Sequence, residues 1–387
     1  MGLFLDIIRL SPQATDNAME SIYKALSDGH DHDGWEPHES PLIRRMIELF
    51  TQRGLDRLDS VKKEIDAWAQ GQRHAPKLAP VPIPPGAMGR WNDAELALVR
   101  IYLEALPPSQ WTLGDHMLAV DYVVQRYLPE SALVTEAQWL TTRAALMGKV
   151  QANMKDTTAK QADVLMAAMP STVGAATQMF PLAPRLQSVM EFAAMRAVEN
   201  VRALTDGVRH RMRSVVLQHL ELGPAASGPS LQSKLLDAFG ILNRDWRRIA
   251  VTEAGEAQTA GYIASLPLGA KVKRVEQYNG ACSFCRKIDG RVMTIVDAAK
   301  PEKNPDTEIW AGKTNVGRSA SPRKRVGDVL VEREPSEMWQ VPVGLVHPSC
   351  RGRWVLAGDA DVQPGDDPDF ADWLSATLAP SASKAAP

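Results

Sequence analysis

The sequence predicts an α+β protein: a mostly helical body, then a small strand-rich module, then a flexible acidic C-terminal tail. Three observations predict it. Apolar residues recur at three- and four-residue steps through most of residues 42–265, the period of amphipathic helices. From Gly269 onward that period gives way to short β-rich runs separated by Gly and Pro. All three cysteines fall in this second region, in Cys282-Ser283-Phe284-Cys285 and His347-Pro348-Ser349-Cys350.

Each of those pairs leaves two residues between donors, a spacing that lets one turn aim both side chains at a single ion. Together they give a Cys₃His set of metal ligands: Cys282, Cys285, His347 and Cys350. Thiolates and an imidazole in a closed tetrahedron suit a redox-inert d¹⁰ ion, so the expected cofactor is a structural zinc that staples the module and leaves no position for a catalytic water. Two other states fit the same residues: a Cys282–Cys285 disulfide, which the short spacer would strain, and three buried thiols.

In chain order, residues 1–70 are expected to form an N-terminal arm and a helical segment. His30, Asp31, His32, Asp33, Trp35 and His38 sit among Gly29, Gly34 and Pro37, an irregular spacing that reads as a solvated turn rather than a metal site. Ile43, Met46, Ile47, Phe50, Leu58, Val61, Ile65 and Trp68 then carry a helical period, with Gly54 as a candidate break. Five prolines from Pro76 to Pro85 make residues 71–90 an extended linker or strap.

Residues 91–266 form the expected helical body. Asn92 and Glu95 make a capping-box pair, and Pro107-Pro108 stops the helix they start. Helices follow over Met117–Leu128 and Thr135–Met154. Residues 164–184 carry no charge, but Pro170, Pro181, Pro184 and Gly174 interrupt them, so no stable membrane insertion is expected and a buried or subunit-facing segment is favoured. The methionines nearby, Met166, Met169, Met179, Met190 and Met195, suit adaptable packing surfaces. A long helix over Leu186–Leu222 is expected to bend at Asp206-Gly207 and to present Arg202, Arg209, His210, Arg211 and Arg213 as a solvated face. Gly223-Pro224 and Ser227-Gly228-Pro229 mark a boundary before helices beginning near Leu231 and Asn243.

The module spans residues 267–357, with strands over Val272–Tyr278 and Val292–Val296 and another following Arg351, so that each metal pair sits at a strand end. A polar insert between the pairs holds Lys313, Arg318, Arg323, Lys324 and Arg325 among Gly, Ser and Pro. Residues 358–387 form the tail, where six Asp residues surround or precede Phe370, Trp373, Leu374 and Leu378 at helical spacing; this reads as a peptide that docks in a groove of its own body or of a partner. With 44 basic and 46 acidic residues, the net charge of −2 supplies no global attraction to nucleic acid or anionic lipid. Cysteines spaced for a metal point to a reducing compartment, and Met1–Leu10 is too short and too interrupted to read as a signal peptide.

The helix ending Arg247-Arg248-Ile249-Ala250-Val251-Thr252-Glu253, the strand Val272–Tyr278, Cys282-x-x-Cys285 with Asp289-Gly290, and His347-Pro348-x-Cys350-Arg351 occur in an order that resembles the Mu F-like minor head proteins of tailed bacteriophages, the phage head morphogenesis family. The likeness covers roughly residues 230–357. Two departures stand out: Gly352 occupies a position where family members often carry a further cysteine, which leaves His347 as fourth ligand, and the insert is longer than expected. The resemblance implies a non-enzymatic minor head (capsid) protein, made in the host bacterial cytoplasm and kept in the virion in several copies. It would join the portal protein and capsid or scaffold proteins in head assembly, and serve DNA packaging or ejection. The residues leave a second reading, a zinc-stapled nucleic-acid-binding module touching DNA through Lys313, Arg318, Arg323, Lys324 and Arg325. An enzyme with Glu253 or Glu256 as base and the metal as Lewis acid ranks last, because four protein ligands leave no place for water.

Overall fold

The computed structural model describes residues 41–69, 91–105, 110–154, 158–222, 231–276, 280–348, 350–358 and 368–379. The expected N-terminal arm, the loop from His30 to His38, the Pro-rich linker, the 223–229 boundary and the acidic leader at 359–367 lie outside them. Helices occupy α1 (Pro41–Ala69), α2 (Asp93–Ala105), α3 (Leu113–Tyr127), α4 (Glu130–Asn153), α5 (Ala159–Ala168), α6 (Val173–Met179), α7 (Pro184–Leu222) and α8 (Leu231–Ser265). After them come β1 (Lys271–Val275), α9 (Ser283–Ile288), β2 (Val292–Ile295), β3 (Glu308–Ile309), β4 (Arg323–Val326), β5 (Val329–Glu332), β6 (Arg353–Leu356) and α10 (Pro368–Leu378).

The helix starts follow local chemistry. Asn92 and Glu95 exchange the two hydrogen bonds of a capping box at 2.9 and 3.0 Å, and Thr112 with Asp115 and Thr158 with Gln161 do the same for α3 and α5. Two expected breaks are absent. The chain stays helical through Gly54 in α1, and α8 is one helix from Leu231 through Asn243. Likewise α7 passes through Asp206-Gly207 as a single element.

Over these residues the chain divides into two compact units, one of Phe50–Glu136 and Val198–Arg247 and one of residues 41–49, Ala137–Ala197 and Arg248–Pro387. The division expected at residue 266 falls inside the second unit, where the last part of α8 belongs with the strands. There α4 and α8 meet backbone to backbone: a Cβ on Gly148 would overlap the main chain of Gln258 and Tyr262, and one on Gly261 would lie 2.8 Å from Ala145 Cα. Buried Ala144, Ala145, Ala254 and Ala257 suit the same close approach.

The sheet of this unit has the order β3-β2-β1-β6, with β1 antiparallel to both neighbours and β2 parallel to β3. Its core face carries Val272, Met293, Ile295, Ile309 and Trp354, all buried. The alternation along β1 also turns Arg274 inward, opposite Trp354, with its guanidinium 5.3 Å from the indole centroid. The insert adds β4–β5 as a separate two-stranded hairpin. Lys313 pins the insert from inside, only 1% exposed, donating to the carbonyls of Pro305 and Glu308 at 2.5 and 2.9 Å with Trp310 against its ammonium. Burial pushes its pKa down to about 8, against the opposing charge of Asp306.

The uncharged run 164–184 becomes the end of α5, all of α6 and the turns around them, and no helix among the described residues is long and apolar enough to cross a membrane. Its methionines divide: Met169 and Met190 are buried, while Met179 and Met195 are exposed. The helical end of the tail, α10, docks on its own unit. Phe370 is buried edge-on to Phe180 at 5.3 Å, Trp373 leans on the same ring, and Lys149 Nζ lies 4.5 Å from the Phe370 ring centroid.

In the first unit the basic residues of α7 divide: Arg202 and His210 stay exposed, as expected of a solvated face, whereas Arg209 and Arg213 turn to a buried acid. Asp121, fully buried in α3, pairs with Arg213 and Arg209, and Arg202 pairs with Glu130 and Glu199. Gly54 is required by packing: the buried Trp246 indole stacks on Phe50 at 5.0 Å, donates Nε1–H to the Phe50 carbonyl at 3.1 Å, and fills the space a Cβ on residue 54 would take. Helix propensity favours alanine there by about 1 kcal/mol, whereas overpacking a filled core costs about 1–3 kcal/mol. Gly54→Ala is therefore expected to lower stability. Its midpoint of denaturant unfolding, read by tryptophan fluorescence, should fall below wild type, whereas a rise would mean that propensity outweighs packing.

Candidate metal centre

Cys282 begins α9 as its cap, with its sulfur accepting the Cys285 N–H at 3.4 Å, and the first turn closes through Arg286 N–H to the Cys282 carbonyl. The first pair thus sits at the start of a short helix, not at a strand end as the sequence suggested. Asp289 N–H closes the other end on the Cys285 carbonyl, and the Asp289 carboxylate accepts the Glu276 N–H at 2.8 Å, tying the helix to the end of β1. The second pair is a tight turn, Cys350 N–H to the His347 carbonyl at 3.0 Å, just before β6.

These turns bring the four predicted residues together around Cys285. Its sulfur lies 3.5 Å from His347 Nε2 and 3.9 Å from Cys350 Sγ. All three cysteines are reduced, so the disulfide alternative is not taken. His347 Nδ1 is 2.9 Å from the Pro348 carbonyl, and a proton held there leaves the Nε2 lone pair facing the sulfurs, the tautomer a metal ligand needs. Burial lowers the His347 pKa, but hydrogen bonds to Pro348 and Cys282 outweigh it and the net direction is upward. Burial likewise raises Cys282, and the N–H groups and His347 that face its sulfur outweigh that and bring it down.

The donors fall into two overlapping groups, each close enough to share an ion. Cys282, Cys285 and His347 form the outer group, and Glu276, Cys285 and Cys350 form a fully buried one. Glu276 was not foreseen. Its carboxylate lies 3.7 and 4.0 Å from Cys350 Sγ and accepts from Arg274 Nε at 2.7 Å. Burial raises its pKa and Arg274 opposes that. A Cβ at Gly352 would overlap this carboxylate, which is the physical reason for glycine there. The sequence held one signal: Arg274 and Glu276 are opposite charges two apart, on one face of a strand.

The loop before His347 is held from both sides. Arg274 Nη1 donates to the Gly344 carbonyl at 2.8 Å, and the Leu345 N–H donates to Glu256 of α8. Glu256 and Glu253 both pair with Arg196 of α7, at 2.8 and 2.9 Å, which accounts structurally for the two carboxylates that an enzymatic reading would use as a base. Trp339, from the insert, stacks on the His347 ring at 5.4 Å and meets Phe284 edge-on, so part of the insert serves to orient the imidazole.

Thiolates, an imidazole and a carboxylate are chemically suited to a transition metal, and this cluster could hold one. A further fit comes from Arg274, fully buried, whose Nη2 has no hydrogen-bond partner among the described residues. A buried cation of that kind belongs beside more negative charge than Glu276 alone supplies, as ionised thiolates would provide. The basic insert is less open than its sequence suggested. Lys313 is buried, Arg318 donates to the carbonyls of Ser336 and Met338, and Lys324 pairs with Glu337, leaving Arg323 and Arg325 exposed. Comparison with family models, curated proteins and solved structures finds no match to this chain.

Glu256 should act on the centre only by positioning its loop. Glu256→Ala is expected to destabilise the protein by about 1–3 kcal/mol and to speed amide exchange at Leu345, since it removes a buried acceptor. Glu256→Gln keeps an acceptor and should retain most of the protection. Equal exchange rates at Leu345 in both variants and wild type would contradict the clamp.

Proposed function

We propose that this chain is a structural minor head protein of a tailed bacteriophage, stapled by one zinc ion and working with the portal, capsid or scaffold proteins in head assembly. The observation that supports it is the ordered motif set, Arg247–Glu253, Cys282-x-x-Cys285, Asp289-Gly290 and His347-Pro348-x-Cys350-Arg351, whose parts have coherent roles at one centre. Glu253 and Arg196 hold Glu256, which reaches the loop before His347; Cys282, Cys285, His347 and Cys350 supply donors, and Asp289 ties α9 to β1. Four protein donors around zinc would leave it a staple rather than a reagent, which favours a non-enzymatic role.

The zinc identity rests on donor chemistry: sulfur-rich sets with imidazole favour zinc over magnesium, calcium or manganese. Localisation to the virion, and synthesis in the host cytoplasm, follow from the same reading. The nucleic-acid alternative now concentrates on the exposed Arg323 and Arg325 of β4.

Co-expression with portal and major capsid proteins tests the proposal. The chain is expected to sediment with procapsids, and Cys285→Ser, which removes the sulfur common to both donor groups, is expected to lose that incorporation. A chain that stays entirely in the unassembled fraction, yet shifts duplex DNA in a salt-dependent manner that Arg323→Ala with Arg325→Ala abolishes, would replace this reading with the nucleic-acid one.

A further inference from the structure

We propose that Glu276 is a fifth donor of this centre, a carboxylate held ready beneath the ion that takes the fourth position when His347 is withdrawn. The inference rests on the metal reading above and concerns the inner half of the site. Glu276 lies within the same donor group as Cys285 and Cys350, and every member of that group is buried, whereas His347 and Cys282 are only partly buried.

Three contacts fix the carboxylate. Arg274 Nε holds one oxygen at 2.7 Å, Asp289 holds the Glu276 main chain, and the glycine at 352 leaves the room it occupies. The second oxygen is 3.7 Å from Cys350 Sγ, a separation that two ligands of one ion can adopt, since metal–sulfur and metal–oxygen bonds are each about 2.0–2.3 Å. A carboxylate that only needed to neutralise Arg274 could do so without lying against two thiols.

The same geometry argues against a second ion. Arg274 is fully buried beside Glu276, and a dication bound only there would place a second buried positive charge next to a permanent one. With Cys285 common to both groups, one ion that can shift between outer and inner fourth donors satisfies all five side chains.

The test uses the full, reduced, metal-free chain titrated with cobalt(II), whose thiolate charge-transfer and ligand-field absorption report sulfur count and coordination number. Wild type, His347→Ala, Glu276→Gln and the double variant are compared, with circular dichroism confirming the fold of each. His347→Ala is expected to keep one cobalt per chain with a four-coordinate spectrum and an affinity loss on the order of 10- to 100-fold, comparable to the loss of an outer-shell partner because the ligand number is kept. Glu276→Gln alone leaves Arg274 less compensated and should bind more weakly than wild type, but with the wild-type four-coordinate spectrum because His347 is present, and the double variant should lose that spectrum.

Equal binding by His347→Ala and the double variant would overturn the proposal, as would complete loss of cobalt from His347→Ala alone. Should Glu276→Gln fail to fold, imidazole added to cobalt-loaded His347→Ala decides. An unchanged spectrum means the carboxylate fills the position; a spectrum restored to wild type means that water filled it, against the proposal. Failure of the metal reading itself looks different: wild type would then show no thiolate–cobalt absorption at all.

Discussion

A fully buried ion pair, Arg274 with Glu276, is the constraint around which the C-terminal part of this protein is arranged. Taking both charges out of water costs several kcal/mol per ion after relaxation, and Coulomb attraction alone does not reliably offset it. The surrounding structure supplies the rest. Arg274 donates to the Gly344 carbonyl and lies against Trp354, whose own N–H is held by the Val343 carbonyl at 2.9 Å. Glu276 stands against Cys350, and Gly352 leaves it room. The charge pair therefore fixes three things at once: the loop leading to His347, the strand after Cys350, and the floor beneath the sulfurs.

A metal would complete this arrangement energetically. The strands of the sheet are two to five residues long, short even for small sheets, and a long insert joins β3 to β6. Structural zinc contributes on the order of 10 kcal/mol of apparent binding energy, more than such strands could gain by extending. The ion would also add negative charge beside Arg274 Nη2, which has no hydrogen-bond partner among the described residues, by keeping the neighbouring sulfurs ionised. Helices α7 and α8 then act as the brace, since Glu256 reaches the same loop that Arg274 holds and Arg196 ties Glu256 to Glu253.

What the sequence made legible followed from periodicity and spacing. The helical body, the β-rich turn of the chain after Gly269 and the convergence of Cys282, Cys285, His347 and Cys350 could all be read, because each depends on local pattern or on a short spacer. Glu276 could not be read in the same way: it acts through a strand register and a turn some 70 residues away, and an Arg–Glu pair on a strand looks like a surface pair until burial is known. Glycines misled for a related reason. Gly54 reads as a break by propensity, yet Trp246, far along the chain, is what requires it. Arg209, Arg213 and Lys313 looked solvated because their partners, Asp121 and the Pro305 carbonyl among them, are set by tertiary packing.

The central claim is that a single ion closes the C-terminal module, and its most direct test is the metal content of the reduced full-length chain, measured before and after chelation together with limited proteolysis. The account predicts one zinc per chain, and, once it is removed, cleavage within residues 267–357 while the helical signal is largely retained. A reduced chain that carries no metal, or one whose protease resistance in that region is unchanged when its metal is stripped, would contradict the account and leave the three cysteines as buried thiols.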